Sequence, residues 1–133
     1  MNRMLCLLVG MVLAGCSSQS TVVLRPLAAP PGMASDAVAR LDEGNKLFTA
    51  QDWPGAKAAY LQSIAAQPTL AEAHYNLGLT LDRLGDKAEA KKHYFEAANL
   101  APGNKVIWDA PPLRKRAEET EFKRKSFLDS SPR

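Results

Sequence analysis

Apolar residues in the middle of this chain return every three or four positions, with polar residues filling the gaps. Between residues 36 and 104 that spacing predicts four helices and no strand. Leu77, Leu81 and Leu84 share one face of a third helix, and Ala90, Tyr94, Ala97 and Ala98 share one face of a fourth. Laid antiparallel, the two faces close on each other as a hairpin. Boundary residues mark the ends. Asp36 or Ser35 can cap the first helix, which runs to about Ala50. Pro54 suits the first turn of the second, where its missing N–H costs nothing, and Pro68 lies just past the end. Thr69-Leu70-Ala71-Glu72 reads as a capping box opening the third helix, and Asp86-Lys87-Ala88-Glu89 as one opening the fourth. Pro102-Gly103-Asn104 closes it. After position 36, Ala, Leu, Lys and Glu are abundant and Val and Ile scarce, which favours helix over sheet.

The two predicted hairpins are copies of each other. Sliding residues 37–70 over 71–104 matches Ala37/Ala71, Ala39/Ala73, Gly44/Gly78, Leu47/Leu81, Asp52/Asp86, Ala56/Ala90, Lys57/Lys91, Tyr60/Tyr94 and Pro68/Pro102. These nine identities compare with about three from typical residue frequencies. A mid-helix glycine costs about 1 kcal/mol against alanine, so Gly44 and Gly78 imply close approach of a neighbouring helix. Tyr60 and Tyr94 are the large groups that fill the space they leave.

The second unit, AEAHYNLGLTLDRLGDKAEAKKHYFEAANLAPGN, resembles a tetratricopeptide repeat (TPR) along its length. Leu77-Gly78, Leu81, Gly85-Asp86, Ala90, Tyr94, Ala97 and Pro102 carry the resemblance. The first unit departs at Glu43, where Leu is usual, at Gln51, where Gly is common, and at Ser63, where Ala is usual. The resemblance implies an all-α fold: two tandem helix hairpins (37–70 and 71–104) in a right-handed superhelical solenoid. Residues 105–133 start a third unit and abandon it, because Pro111-Pro112 take the place of Leu-Gly and stop the helix. A charged segment, Leu113 to Leu128, can then form a C-terminal capping helix. Trp108, Leu113 and Ala117 are expected to cover the end of the second hairpin.

The first 35 residues read differently. Met1-Asn2-Arg3 brings one positive charge, and Met4 through Ala14 is an apolar run. That run is shorter than the roughly 20 residues a bilayer span needs, so it reads as a signal peptide over residues 1–15. Leu13-Ala14-Gly15-Cys16 resembles the bacterial lipobox, which implies diacylglycerol on the Cys16 sulfur, cleavage before it and acylation of the new amino group. Multiple acyl chains anchor stably where one does not. Ser17, by resemblance to enterobacterial sorting, implies the outer membrane facing the periplasm, with the inner membrane as the alternative. Residues 17–35, with Pro26, Pro30, Pro31 and Gly32, read as a flexible semi-extended linker after the lipidated Cys16, reaching about 3 Å per residue.

Composition narrows the chemistry. A net charge of +3 is too small to imply a nucleic-acid partner. A Cys6–Cys16 disulfide would require Cys6 to survive cleavage of the leader. His74 and His93 offer at most two ligands from different helices, where a zinc site usually needs four, so neither metal nor other cofactor is expected. Neither a Ser-His-Asp set, nor a glycine-rich phosphate loop, nor a buried carboxylate pair is recognisable, so no enzyme and no small-molecule substrate are expected. Arg114-Lys115-Arg116 and Lys123-Arg124-Lys125 read as a solvated face, since Glu118, Glu119 and Glu121 sit at pairing distance between them.

The family's concave face, formed by the first helix of each hairpin, is where a protein or peptide partner is expected. The resemblance assigns to it Leu41, Asn45, Phe48, Thr49, Tyr75, Asn76, Leu79, Asp82 and Arg83. Asn45 and Asn76 match the two asparagines of the carboxylate-clamp members, but Leu41 replaces a lysine, and Val106 and Ala110 replace the basic pair, so a carboxylate terminus is not the expected ligand. Anchor, linker and groove together imply a membrane-tethered scaffold or adaptor of the bacterial envelope, in pilus or secretion-system assembly. The alternative is a docking or regulatory subunit for cell-wall enzymes.

Overall fold

The computed structural model describes residues 24–129. The expected signal peptide (1–15), the lipid-bearing Cys16 and the first part of the linker (17–23) lie outside the described residues, as do 130–133. Six helices follow one another: α1 (Ser35–Thr49), α2 (Trp53–Ala66), α3 (Ala71–Leu84), α4 (Lys87–Leu100), α5 (Lys105–Trp108) and α6 (Pro111–Asp129). Among the described residues there is no strand, and no helix is long and apolar enough to cross a membrane. α1 packs on α2, α2 on α3 and α3 on α4, so the fold is an all-α repeat array.

The second helix of each hairpin starts in the same way. Asp52 accepts a hydrogen bond from the Gly55 N–H at 3.0 Å, and Asp86, 34 residues on, accepts from the Glu89 N–H at 3.2 Å. The first helices have no such cap. Ala34 and Leu70 hold the cap positions of α1 and α3, so neither Ser35, Asp36 nor the Thr69 capping box caps as the sequence suggested. At α3 the cap position is held by Leu70, whose side chain sits in the core and accepts no bond from the first turn. At α1, Ser35 and Asp36 already lie inside the first turn, where Asp36 faces the positive end of the helix and pairs with Arg40 at 3.8 Å.

Glycine and tyrosine interlock in both hairpins. A Cβ built on Gly44 would fall 2.5 Å from Tyr60 Cδ1, and one on Gly78 would fall 3.0 Å from Tyr94 Cε1. Both tyrosines are fully buried. The unusual Ser63 ties its hairpin together, its hydroxyl donating to the Ala37 carbonyl at 2.8 Å. Leu84 does not join the hairpin interior: it is 42% exposed at the end of α3.

The C-terminal cover differs in detail from expectation. Ile107, Ala110 and Leu113 are buried against the second hairpin, whereas Trp108 is 45% exposed and Ala117 is exposed. α5 is a single turn, and only Ile107 within it points to the core, which leaves the adjacent Trp108 rotated outward. α6 starts on Pro111-Pro112, where missing N–H groups are harmless. Its charges pair along the helix, Lys123 with Glu119 at 2.9 Å and Arg124 with Glu121 at 2.8 Å.

From Leu24 onward the linker belongs to the fold. Leu24, Leu27, Ala29 and Met33 pack against the helical core, and the Ala34 N–H donates to Gln67 Oε1 at 2.8 Å. The free tether expected over residues 17–35 therefore does not extend past residue 23. Apolar residues at 24, 27, 29 and 33 supply the attraction, and prolines 26, 30 and 31 lower the entropy lost on docking by stiffening the extended chain.

Candidate binding groove

α1 and α3 present Asn45 and Asn76 side by side, and the two amides form one network. The Asn76 side-chain N–H donates to Asn45 Oδ1 at 2.9 Å, and the Tyr60 hydroxyl donates to the same oxygen at 2.8 Å. Between them they hold an extended backbone. The Leu27 N–H donates to Asn76 Oδ1 at 2.7 Å, while the Leu27 carbonyl accepts from Asn76 Nδ2 at 2.8 Å and from Asn45 Nδ2 at 3.1 Å. Every polar atom of the Asn76 amide is thus used, and its orientation is fixed because the Leu27 N–H requires an oxygen opposite it. Such a pair reads main chain, whatever side chain the bound residue carries.

Aromatic side chains form the walls. Phe48 packs edge-on to Trp53 with ring centroids 5.0 Å apart, and the Arg83 guanidinium lies 5.8 Å from the Trp53 centroid. With Asn45, Thr49 and Gln51 they line a cleft of about 520 Å³, whose remaining wall is Leu24, Arg25 and Pro26. A second cleft of about 300 Å³ is lined by Leu24 to Leu27, Tyr75, Val106 and Asp109. Tyr75 meets Tyr94 edge-to-face at 5.8 Å, and its buried hydroxyl has no hydrogen-bond partner among the described residues. The Tyr94 hydroxyl donates to Asp82 Oδ2 at 2.8 Å, and Lys87 Nζ meets Asp82 Oδ1 at 3.1 Å. Burial raises the pKa of Tyr60, Tyr75 and Tyr94, reinforced at Tyr94 by Asp82, so all three stay protonated donors at neutral pH.

Of the nine concave-face residues predicted from sequence, eight meet around this groove. Asn45 and Asn76 hold the backbone. Phe48, Thr49 and Arg83 line the first cleft, Tyr75 lines the second, and Leu79 and Asp82 join Arg83 and Leu24 between them. Leu41 does not take part: it is fully buried in the hairpin core. Val106, which the sequence places at a clamp position, lines the second cleft, whereas sequence reasoning missed Trp53, Asp109 and the docked segment itself. The segment's spacing, apolar residues at 24 and 27 around Pro26, was the available signal.

Away from the groove, His74 and His93 stack, with their Nδ1 atoms 3.1 Å apart. His74 Nε2 lies 3.0 Å from the Pro68 carbonyl, so it carries the proton it donates there. His74 Nδ1 is then the acceptor for the His93 Nδ1–H. Burial and the neighbouring His74 lower the pKa of His93. Among the described residues no group of three or more metal-ligating side chains forms.

The fold is that of an all-helical repeat protein, and its groove holds the backbone of the chain's own Leu27. Family profiles described as "TPR repeat" and "Tetratricopeptide repeat" match residues 44–85 and 71–104, so this stretch consists of tetratricopeptide repeats. Proteins of this kind are generally non-catalytic interaction scaffolds. No curated protein and no solved structure matches the chain.

Proposed function

We propose that this protein is a lipid-anchored adaptor of the bacterial envelope, held at the outer membrane through Cys16 and binding an extended segment of a protein partner in its concave groove. The single observation that carries the binding reading is the Asn45–Asn76 amide pair clasping both backbone polar groups of Leu27. Main-chain clasping between aromatic-walled clefts suits a peptide segment, with Phe48 and Trp53 as the natural anchors for its side chains. The anchor rests on the Leu13-Ala14-Gly15-Cys16 box and the short apolar run before it. Together they support a scaffold that positions a partner near the membrane, as in assembly of a pilus or secretion apparatus.

The binding half is tested by capture from detergent-solubilised envelopes on the immobilised full chain. A specific partner held by the wild type and lost by Phe48→Ala and Arg83→Ala is the expected result. Capture of nothing specific, or equal capture by the variants, refutes it. For the anchor, Cys16→Ser is expected to move the protein from the membrane fraction to the soluble one, with loss of the acyl mass; an unchanged distribution refutes that half.

A further inference from the structure

The groove is already occupied along its backbone-holding centre. Leu24 to Leu27 lie in it as a segment of the chain's own linker, with Leu27 clasped at both backbone polar groups and Leu24 lining the clefts on either side. We propose that this segment is a built-in competitor: it occupies the partner site in cis, and a partner enters only by displacing it. The proposal rests on the reading of the groove as the partner site and adds to it the chemistry and the control of that site.

The competitor describes the partner it excludes. It offers an apolar residue, a spacer, a proline and a second apolar residue, and the residue after the proline supplies the N–H and C=O that Asn76 reads. A proline there costs nothing in the clasp, since its missing N–H is not one that the asparagines use, and it pre-extends the chain. The partner segment is therefore an extended stretch with two apolar residues flanking a proline. Moreover, the cis segment fits incompletely. The Tyr75 hydroxyl beside it is buried with no hydrogen-bond partner among the described residues, so a segment that brings an acceptor to that point binds better than residues 24–27 do. That difference lets a partner win against a tethered competitor, whose advantage is only its high effective concentration.

The test uses the full chain and a fluorescein-labelled peptide of residues 22–30 (VVLRPLAAP) as probe. Leu24→Ser/Leu27→Ser weakens the cis segment and leaves the helices untouched. It is expected to bind the probe at least about tenfold more tightly than the wild type, the factor for a segment docked about nine-tenths of the time. Adding Asn76→Ala is expected to abolish that binding. Leu27→Pro, which deletes the clasped N–H but keeps an apolar residue, is a second releasing variant should the first lose helix content by circular dichroism. Equal affinity in wild type and released variants overturns the proposal, and so does absence of probe binding in both released variants. The two readings fail separately. A captured partner that wild type and released variants hold equally well removes the competitor but keeps the partner site. Probe binding on release, with no partner ever captured, keeps the competitor and removes the partner reading.

Discussion

Alanine at Gly44 and at Gly78 is the same substitution at equivalent positions, and the structure gives the two different outcomes. In each helix the change gains about 1 kcal/mol of intrinsic propensity. At Gly78 the new methyl would sit 3.0–3.2 Å from the Tyr94 ring, so the ring must yield by a few tenths of an ångström. The propensity gain offsets that, and Gly78→Ala is expected within about 1 kcal/mol of wild type. At Gly44 the methyl would lie 2.5 Å from Tyr60 Cδ1 and 2.9 Å from Cζ, so the ring must move about 1 Å. It has nowhere to go. Tyr60 is fully buried, and its hydroxyl is tied to Asn45 at 2.8 Å. Overpacking of this kind costs about 1–3 kcal/mol, and loosening the hydroxyl bond adds about 1. The net for Gly44→Ala is a loss of about 1–3 kcal/mol, or a Tm lower by roughly 5–15 °C for a domain of this size. Urea melts followed by circular dichroism at 222 nm decide it. Gly44→Ala at or above wild-type stability, or Gly78→Ala the worse of the two, would refute the interlock.

Other consequences follow from single groups. Gln51 turns the α1–α2 corner with φ at +62°, the place where the second hairpin has Gly85 at +87°, so Gln51→Gly is expected to stabilise by up to about 1 kcal/mol in the same melts. Destabilisation there would mean that the glutamine side chain earns its strained backbone. Tyr75→Phe removes a buried hydroxyl with no partner among the described residues, so stability is expected to hold or rise by about 1 kcal/mol; a loss of that size would reveal an unseen bond. His93 has its folded pKa lowered by burial and by His74, so the unfolded chain takes up its proton first. The stability it contributes is complete above its ordinary value of 6.5 and is lost as pH falls through that value towards the lower folded one. The urea midpoint is expected to drop between pH 8 and pH 5, by less in His93→Gln; equal drops would clear the pair of this role.

The repeat array was legible in the sequence because its determinants are local and duplicated. Gly44, Gly78, Tyr60 and Tyr94 recur at a fixed offset, and Asp52 and Asp86 cap the helices they precede. Where sequence reasoning failed, a long-range contact overrode a local signal. Thr69 opens no capping box because Leu70 is drawn into the core, and Trp108 faces outward because one turn of helix can bury only Ile107. The same holds for the groove. Asn45 and Asn76 were found by resemblance, but the proline-rich segment they clasp looked like a spacer, since prolines forbid helix equally in a free tether and in a docked segment. Leu41, assigned to the same face, is fully buried in the core instead.

Hydrogen exchange of the Leu27 amide in the intact chain tests the central claim most directly. An N–H donating to Asn76 at 2.7 Å is expected to exchange at least about tenfold more slowly than in an unstructured peptide of the same sequence, and Asn76→Ala is expected to remove the protection. Exchange at the free-peptide rate in the wild type would mean that the asparagine pair holds no backbone at all.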